Sequence, residues 1–244
     1  MKHDDAQLGR LLTRREALAL IGVSGVALLG RRRIAQGAAE AGSPLPSCIV
    51  RPEQTEGPYF VDERLNRPDI RTDPVSGAVK AGAPLQLAIR VSRVTGSGCV
   101  PLAGAQVDLW HCDATGIYSD VRDPGFNTVG QKFLRGYQIT DGTGTARFTT
   151  IYPGWYRGRT VHMHFKIRTD ASAGRSHEFT SQLYFDDALT DVVHALAPYA
   201  AMGPRSLRNG GDGIFRRGGE RLMLAPAASG PGYAATFDIA LQMA

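Results

Sequence analysis

Two histidines two residues apart, His162 and His164, stand in a segment where Val161, Met163, Phe165 and Ile167 alternate with His162, His164, Lys166 and Arg168. That is the period of a β-strand, which puts both imidazoles on one face. Neighbours on such a face are roughly 6.5 Å apart along the strand, so two rings leaning together can hold one first-row metal ion. A pair of this kind also occurs on polar outer faces that bind nothing, and the surrounding residues have to decide. Tyr156 lies six residues before His162, just after Pro153-Gly154, a turn signal that folds the chain back across the start of the strand. A second phenol, Tyr118, follows Gly116 in the stretch from Leu109 to Asp120, where a strand ending near Cys112 gives way to a turn. Loops at the end of a rigid sheet are common places for sites.

The elements that must position these side chains read as strands. Leu85, Leu87, Ile89 and Val91 alternate, as do residues 106–110 and 136–140. Asp141-Gly142-Thr143-Gly144 is a tight-turn signal before residues 145–151 and predicts a hairpin between 136–140 and 145–151. Strands are further expected at 160–168, 180–185 and 233–241, and the one good helical candidate is short, Asp191 to Tyr199. Pro68, Pro74, Gly77 and Gly82 are too closely spaced for a helix over 61–83. Many short strands separated by Gly/Pro turns predict an all-β fold, a two-sheet antiparallel sandwich with long loops and little helix.

The first 41 residues differ in kind. Arg14-Arg15 precede an apolar run from Ala17 to Leu29, followed by small residues around Ala38 to Ala41. A run of 13 residues is short of the about 20 a membrane-spanning helix needs. It matches the apolar region of an export signal, and the paired arginines point to the twin-arginine route. The expected organisation is therefore a signal over 1–41 and one domain over 42–244, periplasmic or extracellular, with no stable membrane span once the signal is cleaved. Of the 28 Lys/Arg and 23 Asp/Glu, seven and four fall in residues 1–41, so the remainder carries a net charge of only +2. Nothing in that balance points to nucleic acid. Of the three cysteines, Cys48 and Cys99 are the expected disulfide in an oxidising compartment, leaving Cys112 as a buried thiol.

Four patches, E-G-P-Y-F (56–60), L-W-H-C-D-A-T-G-I-Y-S (109–119), P-G-W-Y with R-T-V-H-M-H-F (153–165) and Q-L-Y-F (182–185), resemble the intradiol ring-cleavage dioxygenases in content and order. These are non-haem ferric enzymes that open catechols between their hydroxyls. The resemblance implies Fe(III) as cofactor, with Tyr118, Tyr156, His162 and His164 as its ligands and a catechol-type substrate cleaved by O2 to a cis,cis-muconate-type diacid. It implies that Tyr156 also takes a substrate proton, that Arg159 lies over the substrate ring and that Gln182 sits beside it; Arg157 competes with Arg159 for that place. By the same likeness Pro58, Tyr59 and Asp113 line the pocket. The ligand set suits the ion, since phenolates are hard, electron-rich donors that prefer Fe(III) to Fe(II). Two departures stand out: only six residues separate Tyr156 from His162, and no N-terminal helical region of the kind used for dimerisation by several members is present, so a homo-oligomer is left open. Two other readings remain, a zinc hydrolase using His162, His164 and a carboxylate such as Asp113, and a non-catalytic sandwich module with the tyrosines as its recognition surface.

Overall fold

The computed structural model describes residues 48–169 and 176–243; the expected export signal lies outside them. Two sheets pack face to face, with one α-helix among the described residues. The first sheet is organised by the long strand β1 (Pro84–Thr95). One edge of β1 pairs with β11 (Gly232–Leu241), whose far side takes β10 (Ala227–Ser229). The other edge is shared by β7 (Thr145–Ile151) along residues 84–90 and by β2 (Gly98–Pro101) along residues 92–95. The second sheet runs β6 (Arg135–Ile139), β3 (Gln106–Trp110), β8 (His162–Arg168), β9 (Glu178–Tyr184). A small ribbon, β4 (Arg122–Asp123) with β5 (Phe126–Asn127), stands in the loop after Tyr118.

The core lies between the sheets because alternate residues of each strand are apolar. Leu85, Leu87, Ile89 and Val91 of β1 belong to one buried cluster with Val107 and Leu109 of β3, Met163, Phe165 and Ile167 of β8, and Phe237 and Ile239 of β11. Phe165 meets Phe237 edge-on across the gap, centroids 5.7 Å apart. Each such side chain contributes about 1.5–3 kcal/mol on leaving water. The opposite face of β8, bearing His162, His164 and Lys166, is buried too, because residues 52–60 run over it as a strap. Ser181 Oγ donates to Pro52 O (2.8 Å), Gln54 N to Thr180 O (3.0 Å), and Lys166 pairs with Glu56 and lies 4.4 Å from the Phe60 ring centre. Cys48 and Cys99 form the expected disulfide, fastening the start of the strap to β2, and Cys112 is a buried free thiol.

Three expectations need correction. The sandwich is not wholly antiparallel: β1 and β11 run parallel, from Leu85 opposite Tyr233 to Arg93 opposite Leu241. The turn at 141–144 does not close a hairpin, since β6 joins the second sheet and β7 the first. Residues 65–70 take the edges such a hairpin would have used: Tyr137 N donates to Leu65 O, Arg67 N to Tyr137 O, Thr149 N to Pro68 O and Ile70 N to Thr149 O. The helix, α1, is Asp187–His194, four residues earlier than read from sequence, because the Asp186 side chain accepts from Leu189 N and caps its start.

Candidate active site

His162 and His164 are 2% and 1% exposed, and the face they share is set by the alternation of β8. The His162 Nδ1–H donates to Thr160 O at 2.7 Å, which leaves a lone pair on Nε2. The Nε2 of His164 lies 3.0 Å from it. Trp110, opposite His164 in the strand register, stacks on the His164 ring at 5.0 Å and 11°. From above, Gly57 of the strap comes so near that a Cβ would sit 3.2 Å from His164 Cε1; its φ of +77° is left-handed.

The two tyrosines come from loops held together by their backbones. A Cβ at Gly116 (φ +81°) would stand 2.3 Å from Trp155 O, and one at Gly154 would stand 2.4 Å from Asp113 O. Tyr156, half-buried, places its hydroxyl 3.2 Å from His162 Nε2. Tyr118 is 1% exposed, and its hydroxyl has no hydrogen-bond partner among the described residues. Its ring lies edge-on to Tyr156 (5.8 Å) and to His164 (6.3 Å), and Tyr59 stacks on it at 4.5 Å. Tyr59 is itself fixed by donating to Asp123 Oδ2 at 2.7 Å, and burial with that bond pushes its phenol up to about 12. Pro58 is the exposed strap residue beside it.

Arg159 closes the cluster. Its Nε donates to Asp212 Oδ2 (2.8 Å), one terminal nitrogen to Gln182 Oε1 (2.6 Å), and the other lies 3.3 Å from His162 Nε2. Gln182 is fully buried and passes the grip on, donating to Thr55 O at 2.9 Å. Arg157 is exposed, whereas Arg159 is half-buried and is the arginine that lies against His162 and Gln182.

A single lone pair on His162 Nε2 is thus addressed by Tyr156 Oη, Arg159 and His164 Nε2, while the Tyr118 hydroxyl close by is buried without a partner. Burial keeps both imidazoles neutral, holding His162 at about 3 and His164 well below its usual value. Burial likewise raises both phenols, so that neither ionises at neutral pH unaided. Neutral imidazoles are ready donors, and phenols need a strong cation beside them to ligate as anions. The donor set and the orphaned hydroxyl therefore fit a hard trivalent ion. They fit the zinc hydrolase poorly: the Asp113 carboxylate is occupied by Lys80 Nζ (2.8 Å), the Thr115 hydroxyl (2.7 Å) and the N–H of Ile117 (3.1 Å). Among the described residues, no three His, Cys, Asp or Glu side chains gather as a metal site.

The structure thus gathers Tyr118, Tyr156, His162, His164, Arg159, Gln182 and Tyr59, and gives Asp113 a bracing place in the 113–117 turn instead. Three residues escaped sequence reasoning. Asp212, 1% exposed, anchors Arg159 and also accepts from Thr160 N; burial pushes its carboxyl up, but these donors outweigh it and hold it low. Arg135 is 2% exposed behind Tyr118 and donates to Ser119 Oγ (2.7 Å), Ser119 O and Tyr59 O (3.3 Å). Lys80 holds Asp113. No local pattern marks them, although a lone Asp after Gly210-Gly211 is a turn signal of the kind Asp212 serves.

A family model described as Dioxygenase matches residues 55–201, more than half of the chain and all of the residues just placed except Asp212. The chain belongs to the intradiol ring-cleavage dioxygenase family. An intradiol ring-cleavage dioxygenase from Tetranychus urticae has 29% identity and a TM-score of 0.68, covering 80% of this chain and 95% of that one. The dioxygenase domain of a dioxygenase and carbohydrate-binding protein fusion from the cellulolytic bacterium Streptomyces sp. SirexAA-E has 30% identity and a TM-score of 0.56, covering 80% of this chain and 100% of that one. A chlorocatechol 1,2-dioxygenase from Pseudomonas sp. (strain P51) is 28% identical over 171 residues, 60% of this chain and 61% of that enzyme. The chain spans about half the length of the curated relatives it matches.

Proposed function

We propose that this intradiol family member opens a catechol-type ring between its two hydroxyls, taking both atoms of O2 into a cis,cis-muconate-type diacid, with Fe(III) held by Tyr118, Tyr156, His162 and His164. The observation that carries this is His162 Nε2 lying 3.2 Å from Tyr156 Oη and 3.0 Å from His164 Nε2, beside the partnerless Tyr118 hydroxyl. When bound, the ferric ion would bring both phenols to their anions, hold the two catechol oxygens and draw electron density from the ring. Tyr156 is the less buried of the two phenols, so its Oη is placed to accept a substrate proton. Arg159, fixed from two sides by Asp212 and Gln182, presents a guanidinium that cannot deprotonate to negative charge developing on the ring. Preset donors of this sort are worth about 3–4 kcal/mol. Trp110 and Tyr59 wall the cluster and exclude water.

The test is oxygen uptake by the iron-loaded protein against catechol, protocatechuate, hydroxyquinol and chlorinated or alkylated catechols. One O2 consumed per ring, with a ring-opened diacid as product, is expected from at least one of them; no uptake with any would refute the reading. Tyr156→Phe should slow turnover by about 10²–10⁴ while iron stays bound, and loss of all iron in that variant would remove the proposed proton role.

Export by the twin-arginine route is part of the same proposal. Arg14-Arg15 ahead of the apolar run 17–29 support it, as does a disulfide, which persists in oxidising compartments. No helix of the described residues is long and apolar enough to cross a membrane.

A further inference from the structure

Downstream of α1 the chain returns to the foot of β8. Asn209, 8% exposed, opens a short 3-10 turn, Asn209–Gly211. Its side chain makes two bonds, and the sense of each is fixed. Nδ2 donates to Phe185 O at 2.8 Å, which leaves Oδ1 as the end that faces Thr160, and Thr160 Oγ1 donates to it at 2.6 Å. The Asn209 N–H donates to Asp187 Oδ2 in the first turn of α1 at 3.2 Å. Three residues on, Asp212 accepts from Thr160 N at 2.8 Å. Thr160, 2% exposed, is thus gripped at its backbone nitrogen and at its hydroxyl by one stretch of chain.

That grip fixes the third polar group of Thr160, its carbonyl, which receives the His162 Nδ1–H at 2.7 Å. A ring that keeps its proton on Nδ1 carries its lone pair on Nε2, the atom that Tyr156 Oη and His164 Nε2 approach. His164 has no such holder: its Nδ1 is buried without a hydrogen bond among the described residues. His162 is therefore the end of the pair whose tautomer is set by the fold. Resting on the reading of His162 as a metal ligand, we propose that Asn209 is a positioning residue. Acting through Thr160, it holds the carbonyl that orients the His162 ring and so keeps the Nε2 lone pair turned into the ligand cluster. Groups that orient a ligating imidazole in this way are worth about 10–100-fold in metal affinity. Asn209 lies beyond the residues matched by the dioxygenase model, so this support comes from outside 55–201.

Two readouts on the full chain test this, and neither needs turnover. In iron-free protein, imidazole 15N NMR reads the tautomer, and native His162 should be a single Nδ1–H form. Competition with a chelator reads the affinity for Fe(III). Thr160→Val, which keeps the shape and loses the donor, and Asn209→Leu should each lose the single tautomer and weaken iron retention about 10–100-fold. Thr160→Ser, which keeps the hydroxyl, should retain both properties. Thr140→Val is the structural control. It removes a buried hydroxyl that donates to Leu102 O (2.7 Å) and accepts from Ala105 N (2.9 Å), beyond the end of β6 that lies away from Trp110 and His164. It should lower stability in urea and leave tautomer and iron unchanged. Native tautomer and native iron affinity in Thr160→Val and Asn209→Leu would overturn the proposal, as would an equal loss of iron in Thr140→Val. A native chain that does not retain Fe(III) would overturn the ferric reading and this inference with it. Iron held with the expected variant pattern but without O2 uptake would count against ring cleavage alone, so the two failures are distinct.

Discussion

The two halves of the candidate ligand set are positioned in opposite ways. His162 and His164 need only a strand: β8 has its apolar face in the core, and the register with β3 and β9 places Trp110 and Gln182 opposite His164 and Tyr184 opposite His162. Tyr118 and Tyr156 sit on loops with no ladder to fix them, and they meet because the backbones carrying them touch at Gly116 and Gly154. The strand supplies precision through packing that the sandwich needs anyway, whereas the loops obtain theirs from glycines and buried polar braces that serve little else. Damage to the braces should therefore separate the phenols from the imidazoles while the sandwich persists.

The strongest break is expected at Gly116. Gly116→Ala combines a left-handed φ with a Cβ 2.3 Å from Trp155 O, and should cost about 3–5 kcal/mol in urea unfolding. Gly158→Ala, at φ +87° with nothing within 4 Å, carries the backbone strain alone and should cost only about 1–2 kcal/mol. Equal losses in the two variants would show that the contact between the loops does not matter. Next comes Arg135→Met, which strips Ser119 and Tyr59 of a buried donor that touches both sides of the Tyr118 ring's surroundings. A loss of about 2–4 kcal/mol is expected, with a fall in bound iron; iron content equal to the native protein's would show that Tyr118 is placed without it.

The strand side shows itself in pH. In chelator-treated protein the buried His162 is held at about 3 and His111, bonded to Thr150 and to Cys112 O, at about 4, both by burial. Unfolding releases them to about 6.5, so the unfolded chain binds more protons between those limits. Stability is full above pH 6.5 and falls as pH drops towards 4, by up to about 1.4 kcal/mol per pH unit for each histidine. Replacing His111 by Gln should shallow that slope; a flat profile from pH 4 to 6.5 would contradict the burial of neutral imidazoles. The smallest effect belongs to Lys80→Met. Its partner Asp113 is buried but Lys80 is partly exposed, so about 1 kcal/mol is expected, and a loss above about 3 kcal/mol would make Lys80 a major brace of the Tyr118 turn.

The same contrast explains what could be read from the chain. Alternation placed the two histidines and most strands because burial on a two-residue period leaves a direct mark. The tight turn at 141–144 was legible, but its hairpin was not, since the edges went to residues 65–70, a loop with no strand pattern. Tyr118 and Tyr156 were legible through the family's patches. Asp212 and Arg135 were not, because each acts on residues far from it in sequence, Asp212 lying 53 residues from Arg159 and Arg135 lying 76 from Tyr59. Asp113 reads from sequence as a pocket residue because its neighbours belong to the site; that its carboxylate is taken by Lys80, Thr115 and Ile117 has no local mark.

The visible absorption of the purified, iron-loaded protein tests the central claim most directly. Two phenolates on ferric iron predict a burgundy solution whose charge-transfer band changes in Tyr118→Phe and again in Tyr156→Phe, with one iron per chain in the native protein. A colourless protein at full iron loading, or a band indifferent to both substitutions, would contradict the account.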